Sequence, residues 1–325
     1  MADGKQDHIV GVDLGGTKIL AGVFNAQMKC LTREKVTTKA ERGPDAVIDR
    51  IARCVRDVVD ECDLTFKQVR GVGIGSPGAI DPENGKVVFA GNLGWKDVPL
   101  RKELEKRLDL PVFVGNDCKV CTLGVYHVEL KCKPRHVVGI FLGTGIGGGL
   151  VIDGKLHSGA NNSAGEVGHM VLHVDGPKCT CGNKGCFEAL ASRSAIFRDL
   201  RQAVKDGEKT VLTDMLGPDL DGLRSGELRK AIRRGDKLVE RIVHEAAEFT
   251  GLAVASLINI LNPEVVVIGG GVMESLEEEM IDTIRKAARD HAFAGSARGV
   301  EIVASKLGDD AGITGAAVLV SLEGK

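Results

Sequence analysis

Two glycine-rich turns of similar sequence lie 128 residues apart in this chain. Residues 8–18 return as residues 136–146, with His, Val, Gly, Leu and Gly at the same five of eleven positions. Each copy predicts an apolar strand, a tight turn and a second apolar strand. Backbone N–H groups at such glycines can bind phosphate oxygens, and Asp13 beside the first turn could hold the water shell of Mg²⁺. The pair favours a polyphosphate site, with a plain β-hairpin as the alternative for the first turn.

The second turn and a third glycine cluster strengthen this interpretation to different degrees. Residues 143–149 contain five glycines in seven positions, whereas a structural hairpin needs one or two. A run of three glycines, residues 269–271, follows an apolar strand and would let a flat ligand ring lie on bare backbone. A tight turn between a strand and a helix explains the three glycines equally well.

Asn116 and Asp117 stand where a predicted strand passes into a predicted helix. The Asp117 carboxylate could cap that helix. It could also act as a general base that takes a proton from a substrate hydroxyl, with Asn116 orienting the same substrate. Both roles are compatible if the carboxylate also faces the substrate.

One histidine and three cysteines form the sharpest local motif. Three thiols and two glycines fall within residues 179–186, and the nearby His169 completes a set of four ligands suited to tetrahedral Zn²⁺. The predicted ligands are His169, Cys179, Cys181 and Cys186. The set leaves no open coordination position, so we expect a structural zinc ion, with unliganded thiols as the alternative. The other six cysteines show no metal-binding spacing: Cys30, Cys54, Cys62, Cys118, Cys121 and Cys132.

Alternating strand and helix patterns must position these groups. The predicted strands are 8–14, 19–25, 30–37, 69–75, 111–114, 136 to about 157 (more than one strand), 265–268 and 300–304. The predicted helices are 44–62, 97–108, 117–129, 187–206, 225–234, 236–261, 274–290 and 310–322. A meander followed by alternating strands and helices in each half of the chain predicts an α/β protein with two similar lobes.

The composition narrows the function classes further. Aromatic residues make up 3% of the 325 residues and the formal net charge is −2, which argues against a nucleic-acid partner. The sequence shows no secretory signal and no apolar stretch long enough to span a bilayer. Nine cysteines in a chain of this length do not indicate a disulfide framework. We therefore expect a cytoplasmic protein with no membrane partner.

In this order, the motifs resemble the ROK family, which comprises sugar kinases, repressors and open reading frames. The resemblance covers nearly the whole chain, and the combination of motifs is specific although each glycine turn alone is not. The motifs that show the resemblance are residues 13–18, 116–117, 143–149, 165–169, 179–188 and 269–271. The resemblance is strongest to glucokinases of the bacterial type. It implies an actin-like ATPase (ribonuclease H-like) fold, a duplicated α/β domain with a cleft between the lobes.

The resemblance also implies a role for each matching residue. Asp117 would be the catalytic base, and the sugar would be bound by Gly78, Asn116, Asp117, Glu166, His169 and Glu188. ATP with Mg²⁺ would be bound by Asp13, Gly15, Gly16, Thr17, Lys18, Gly143, Thr144, Gly145, Gly147, Gly269, Gly270 and Gly271. His169 would place one ring nitrogen on zinc and the other towards the sugar.

The expected activity is ATP-dependent phosphorylation of the 6-hydroxyl of glucose. The alternatives are the same chemistry on fructose, N-acetylglucosamine or N-acetylmannosamine, or a sugar-sensing regulator of the same family without catalysis. A repressor would need an N-terminal DNA-binding domain, and we expect none here because the first predicted phosphate-binding strand begins near His8. We expect a homodimer or homotetramer. The expected small lobe comprises 1–117 and 306–325, and the large lobe 118–305, with the zinc-binding segment 169–186.

Overall fold

The computed structural model describes residues 7–323, which alternate strands and helices. The strands are β1 (His8–Leu14), β2 (Lys18–Phe24), β3 (Cys30–Thr37), β4 (Val69–Ser76), β5 (Ala79–Asp81), β6 (Lys86–Ala90), β7 (Trp95–Val98), β8 (Val112–Asn116), β9 (Val137–Leu142), β10 (Ile146–Ile152), β11 (Lys155–Leu156), β12 (Val265–Gly269) and β13 (Glu301–Ala304). The helices are α1 (Pro44–Glu61), α2 (Leu100–Leu108), α3 (Asp117–Gly124), α4 (Phe187–Ala191), α5 (Arg193–Lys205), α6 (Leu212–Leu216), α7 (Ser225–Arg233), α8 (Lys237–Leu261), α9 (Gly271–His291), α10 (Ala294–Ala297) and α11 (Ala311–Glu323).

The chain divides into two compact units. The first holds the described residues up to Lys133, Gly149–Gly165 and the described residues from Asp309 onwards; the second holds Pro134–Gly148 and Glu166–Gly308. The lobes expected from the sequence, 1–117 with 306–325 and 118–305, were drawn from the family resemblance, and their limits stay a prediction.

The first unit is built on a five-stranded sheet with the order β3-β2-β1-β4-β8. β1 pairs antiparallel with β2 and parallel with β4, which pairs parallel with β8. Successive residues of β1 face opposite sides of the sheet, as the two-residue period of a strand requires. Val10 and Val12 pack in the cluster that includes α1, whereas Ile9 packs against α11. The sheet is therefore covered on both faces.

Glycines inside the strands of the first unit allow α11 to pack very close to the sheet. A Cβ atom on Gly11 would lie 1.9 Å from the carbonyl oxygen of Ile313, and one on Gly73 would lie 1.8 Å from that of Ala316. Both distances are far below any real carbon–oxygen contact, so these positions exclude a side chain.

A second five-stranded sheet has the order β11-β10-β9-β12-β13, with parallel pairing of β9 with β12 and of β12 with β13. Its strands correspond one to one, in chain order and in sheet order, to those of the first sheet. The repeat of residues 8–18 at 136–146 is thus a repeat of the strand–turn–strand that opens each sheet.

Four local differences separate the structure from the predicted elements. Residues 79–98 form a small antiparallel sheet, β5-β6-β7, that the sequence analysis did not predict. The helix predicted at 97–108 begins only at Leu100, because Val98 still pairs with Val87 in that sheet and Pro99 is the N-cap residue. The helix predicted at 117–129 changes at Val125 into a π-helical turn that ends at Glu129. The helix predicted at 187–206 is divided at Ser192, whose hydroxyl caps α5.

Among the described residues, no helix has both the length and the apolar character needed to cross a membrane.

Candidate active site and zinc cluster

Asn116 connects the end of β8 to the start of α3. Its side-chain oxygen accepts a hydrogen bond from the backbone N–H of Lys119, 3.1 Å away, and so caps the helix. Its side-chain amide donates to the carbonyl oxygen of Gly78, also at 3.1 Å. Gly78 has a φ of 92°, and a Cβ atom there would lie 2.0 Å from the carbonyl oxygen of Phe89. Two predicted sugar-binding residues, Asn116 and Gly78, are therefore in direct contact.

Asp117 is the first residue of α3, and its carboxylate accepts a hydrogen bond from the N–H of Cys118, 2.8 Å away. The N-cap residue is Asn116, so the two side chains satisfy different N–H groups of the first turn. The negative charge of Asp117 acts on a second predicted site residue, Asp13. Burial, followed by the charge of Asp117, raises the pKa of Asp13 from 3.8 to about 7.

The first glycine turn joins β1, which contains Asp13, to β2. The N–H of Gly15 donates to the carbonyl oxygen of Lys18 at 2.8 Å, which closes the turn. Gly16 and Thr17 lie in this turn, where Thr17 is exposed. The Lys18 ammonium forms an ion pair with Asp309 at 2.8 Å.

The Asp13 carboxyl group lies against the first turn of α11. A Cβ atom on Gly312 would be 2.7 Å from the Asp13 carboxyl carbon, so Gly312 makes room for this group. The partial positive charge at a helix N-terminus favours a carboxylate there, and this partly opposes the effect of burial on Asp13.

The second glycine turn joins β9 to β10. The N–H of Gly143 donates to the carbonyl oxygen of Gly145 at 2.8 Å, Thr144 is exposed between them, and Gly147 lies inside β10. The N–H of Ile146 donates to a carboxylate oxygen of Glu188, 2.9 Å away.

The three consecutive glycines connect β12 to α9. Gly269 ends the strand, Gly270 caps the helix with a φ of 89°, and Gly271 begins it. A Cβ atom on Gly270 would lie 2.5 Å from the carbonyl oxygen of Leu142, the last residue of β9. The cluster therefore lies beside the second glycine turn, and its middle member must be glycine for both steric and conformational reasons.

The four predicted zinc ligands come together in the second unit. The ligand atoms of His169, Cys179, Cys181 and Cys186 all lie within 4.8 Å of one another. The Sγ atoms of Cys181 and Cys186 are 3.7 Å apart, and Cys179 Sγ is 3.8 Å from Nδ1 of His169. Ligand atoms around a tetrahedral zinc ion with Zn–S bonds of about 2.3 Å are separated by roughly 3.6–3.8 Å. The cluster therefore fits zinc in size and in chemistry.

The environment shifts the pKa values of two thiols of the cluster in opposite directions. A backbone hydrogen bond from Asn183 lowers the pKa of Cys181. Burial, followed by the neighbouring Cys181 and Cys179 thiols, raises the pKa of Cys186 to about 12. Zinc ligands are thiolates, and a zinc ion bound here would supply the positive charge that three adjacent thiolates require.

Glu166 and Glu188 flank this cluster in the chain. Glu166 is exposed and begins the turn that carries His169, whose N–H donates to the Glu166 carbonyl at 3.1 Å. Glu188 lies in α4, the helix that begins with the residue after Cys186. Its carboxylate accepts a hydrogen bond from the hydroxyl of Thr180 at 3.1 Å.

Comparison with known proteins places this arrangement in a family. Residues 9–323 match the ROK family. The chain belongs to the ROK family. A glucokinase of Thermotoga maritima is 38% identical over 313 residues, covering 96% of each chain. A ROK family glucokinase of Streptomyces griseus, crystallised with glucose and AMPPNP, is 33% identical with a TM-score of 0.86, covering 96% of this chain and 98% of that one. An N-acetyl-D-glucosamine kinase of Vibrio cholerae is 35% identical, covering 95% of this chain and 98% of that protein.

The structural similarity confirms the predicted fold class. This ROK-family chain has the actin-like ATPase fold with two mixed sheets. The predicted site residues form two groups, one in each unit. The first unit holds Asp117, Asn116, Gly78 and the turn at 13–18, and the second holds the turn at 143–147, the glycines at 269–271 and the zinc cluster with Glu166 and Glu188.

Sequence reasoning missed several residues that contact these motifs in the ROK-family structure. The Thr38 hydroxyl, which is fully buried, donates to the carbonyl oxygen of Gly15 at 2.7 Å. The Lys119 ammonium is buried and donates to the carbonyl oxygen of Asn162 at 2.6 Å. The Ser194 hydroxyl contacts the second glycine turn. None of these residues belongs to a recognisable motif, because each acts through a contact distant in sequence.

Proposed function

We propose that this protein is an ATP-dependent kinase that phosphorylates the 6-hydroxyl of glucose. The observation that carries the proposal is the placement of two carboxyl groups in the first unit. Asp117 is the first residue of α3, and a Cβ atom on Gly75 would lie 3.4 Å from its Cα atom. Gly75 pairs with Asp13 in the sheet, so Asp117 lies close to Asp13 beside the first glycine turn. A base next to a carboxyl group at a phosphate turn is what transfer of phosphate to a hydroxyl requires.

The roles of the chain's own residues follow from this chemistry. Asp117 accepts the proton of the sugar hydroxyl as the new bond to phosphorus forms, and Asn116 orients that hydroxyl. The N–H groups of the turns at 13–18 and 143–147 bind phosphate oxygens, and the glycines at 269–271 lie against the nucleoside. When bound with ATP, Mg²⁺ neutralises charge on the phosphates, as phosphoryl transfer needs.

Sugar hydroxyls are bound by Glu166, His169 and Glu188. Cys179 Sγ lies 3.8 Å from Nδ1 of His169, so Nδ1 is the ring nitrogen on the zinc side. Ligation there fixes the tautomer and leaves the Nε2–H group to donate to a sugar oxygen. With four protein ligands the zinc ion is structural, and it stabilises the segment that carries these residues.

Glucose is proposed because glucokinases are among the relatives that the chain matches over nearly its full length. The test is an ADP-release assay with ATP and Mg²⁺ across glucose, fructose, mannose, N-acetylglucosamine and N-acetylmannosamine. We expect the highest kcat/KM for glucose. A far higher value for another hexose would overturn the glucose assignment and leave the kinase class intact. Sugar binding without turnover of any hexose, with ATP or with polyphosphate, would instead favour a regulator.

A further inference from the structure

The start of α5 contacts two consecutive carbonyl groups of the second glycine turn. The backbone N–H of Arg193 donates to the carbonyl oxygen of Gly143 at 3.0 Å. The hydroxyl of Ser194 donates to the carbonyl oxygen of Thr144 at 2.7 Å. The Arg193 guanidinium also donates to the Thr144 hydroxyl. Two neighbouring residues of one helix thus hold two neighbouring peptide groups of the turn.

These contacts fix the directions of two amide N–H groups. A peptide group is planar, and in the trans form its C=O and N–H point in opposite directions. The peptide bonds of the described residues are trans. Because the carbonyls of Gly143 and Thr144 point at α5, the N–H groups of Thr144 and Gly145 point away from α5. The turn therefore presents two adjacent donors on its opposite side.

Glu188 binds the next N–H group of the turn. Its carboxylate accepts the hydrogen bond from Ile146, and a Cβ atom on Gly145 would lie only 2.2 Å from the same carboxylate oxygen. The Ile146 N–H is therefore engaged by protein, so the two donors left for a ligand are those of Thr144 and Gly145.

The first glycine turn is also held through backbone carbonyls, by a different residue. The Thr38 hydroxyl donates to the carbonyl oxygen of Gly15, the counterpart of Gly143 in the repeat. The Thr38 N–H donates to the carbonyl oxygen of Thr17 at 2.9 Å. The two turns are thus held through the carbonyl of the corresponding glycine, by residues that are unrelated in sequence.

We propose that Ser194 is a positioning residue for the nucleotide: by holding the Thr144 carbonyl, it directs the Gly145 N–H at a phosphate oxygen of the bound nucleoside triphosphate. The inference rests on the proposed function and adds to it a residue that touches neither sugar nor nucleotide. Loss of the hydroxyl frees the Thr144–Gly145 peptide group to rotate, so the donor must be ordered again at each binding event.

The test is the affinity of Ser194→Ala for Mg²⁺–AMPPNP, measured by calorimetry without sugar. Alanine is a good helix former at this exposed position, so the fold should be preserved. Loss of this one hydrogen bond in Ser194→Ala should raise the Kd for AMPPNP roughly threefold to tenfold. Ser194→Thr retains the hydroxyl and should bind as the wild type does. Ser256→Ala is the matched control, since it also removes a hydroxyl-to-carbonyl bond, inside α8.

The readouts separate positioning from general destabilisation. We expect the KM for ATP to rise more than kcat falls in Ser194→Ala, with the glucose Kd and the Tm unchanged. Equal AMPPNP affinity in Ser194→Ala and wild type would overturn the inference and leave the proposed function standing. Parallel loss of AMPPNP affinity, glucose affinity and Tm would overturn it as well. A wild-type protein that binds no AMPPNP would instead overturn the proposed function.

Discussion

The side-chain amide of Asn116 donates a hydrogen bond to the carbonyl oxygen of Gly78, 3.1 Å away. The oxygen of the same side chain caps α3 through the N–H of Lys119. One asparagine therefore links the turn after β4 to the helix that begins with Asp117. The two functions of this side chain can be separated by substitution.

Replacing Asn116 by alanine should lower the free energy of unfolding by about 1 kcal/mol, because an N-cap is lost. Asn116→Ser restores a capping oxygen and should recover most of that stability. Both variants lose the donor to Gly78, so we expect the KM for glucose to rise in both. Urea denaturation and steady-state kinetics measure the two effects. Equal destabilisation by serine and alanine would contradict the capping role.

Replacing Asp117 by asparagine should lower kcat by roughly 10²–10⁴-fold, the usual contribution of a positioned general base. The Tm should change little, since the helix is capped by Asn116. Asp60→Asn is the control, because it makes the same change at an exposed position of α1. Full turnover per folded molecule in Asp117→Asn would show that this carboxylate is not the base.

The sequence predicted the two glycine turns, the helix that begins with Asp117 and the His/Cys cluster because each is local. A glycine turn or a Cys-x-Cys motif carries its chemistry within a few residues. Gly143, Gly145 and Cys186 could therefore be named as candidate site residues without a structure. The order of strands and helices follows from the periodicity of apolar residues along the chain.

The contacts that hold these motifs could not be predicted from sequence. Thr38 and Ser194 are ordinary residues until the fold brings them to Gly15 and Thr144. The small sheet β5-β7 was missed for a related reason, since its short strands become stable only by pairing with one another and burying Trp95.

Asp13 should make the nucleotide-free protein less stable as the pH rises. Its pKa in the folded state, about 7, lies above its ordinary value of 3.8, so the folded protein holds the proton more tightly than the unfolded chain does. Stability is therefore lost between about pH 4 and pH 7 and levels off above that range. Asp13→Asn stays neutral throughout. In Mg²⁺-free buffer, the Tm of Asp13→Asn minus that of the wild type should increase from pH 5 to pH 7. A Tm difference that stays constant over this range would contradict the raised pKa of Asp13.

Replacing Cys181 by serine should remove zinc and weaken sugar binding. Cys181 is an exposed member of the cluster, so the substitution removes a ligand without opening a cavity in the core. The loss should extend to Glu188, which follows the cluster in α4 and is bonded to Thr180 within the same loop. By elemental analysis we expect about one zinc ion per wild-type chain and a metal-depleted Cys181→Ser variant. The Kd of that variant for glucose should be raised about tenfold or more.

The control is Cys132→Ser, which changes another exposed thiol outside the cluster and should keep both metal and glucose affinity. A fully active wild-type protein without metal would refute the zinc site, whereas a zinc-free Cys181→Ser with unchanged glucose affinity would refute only its coupling to the sugar.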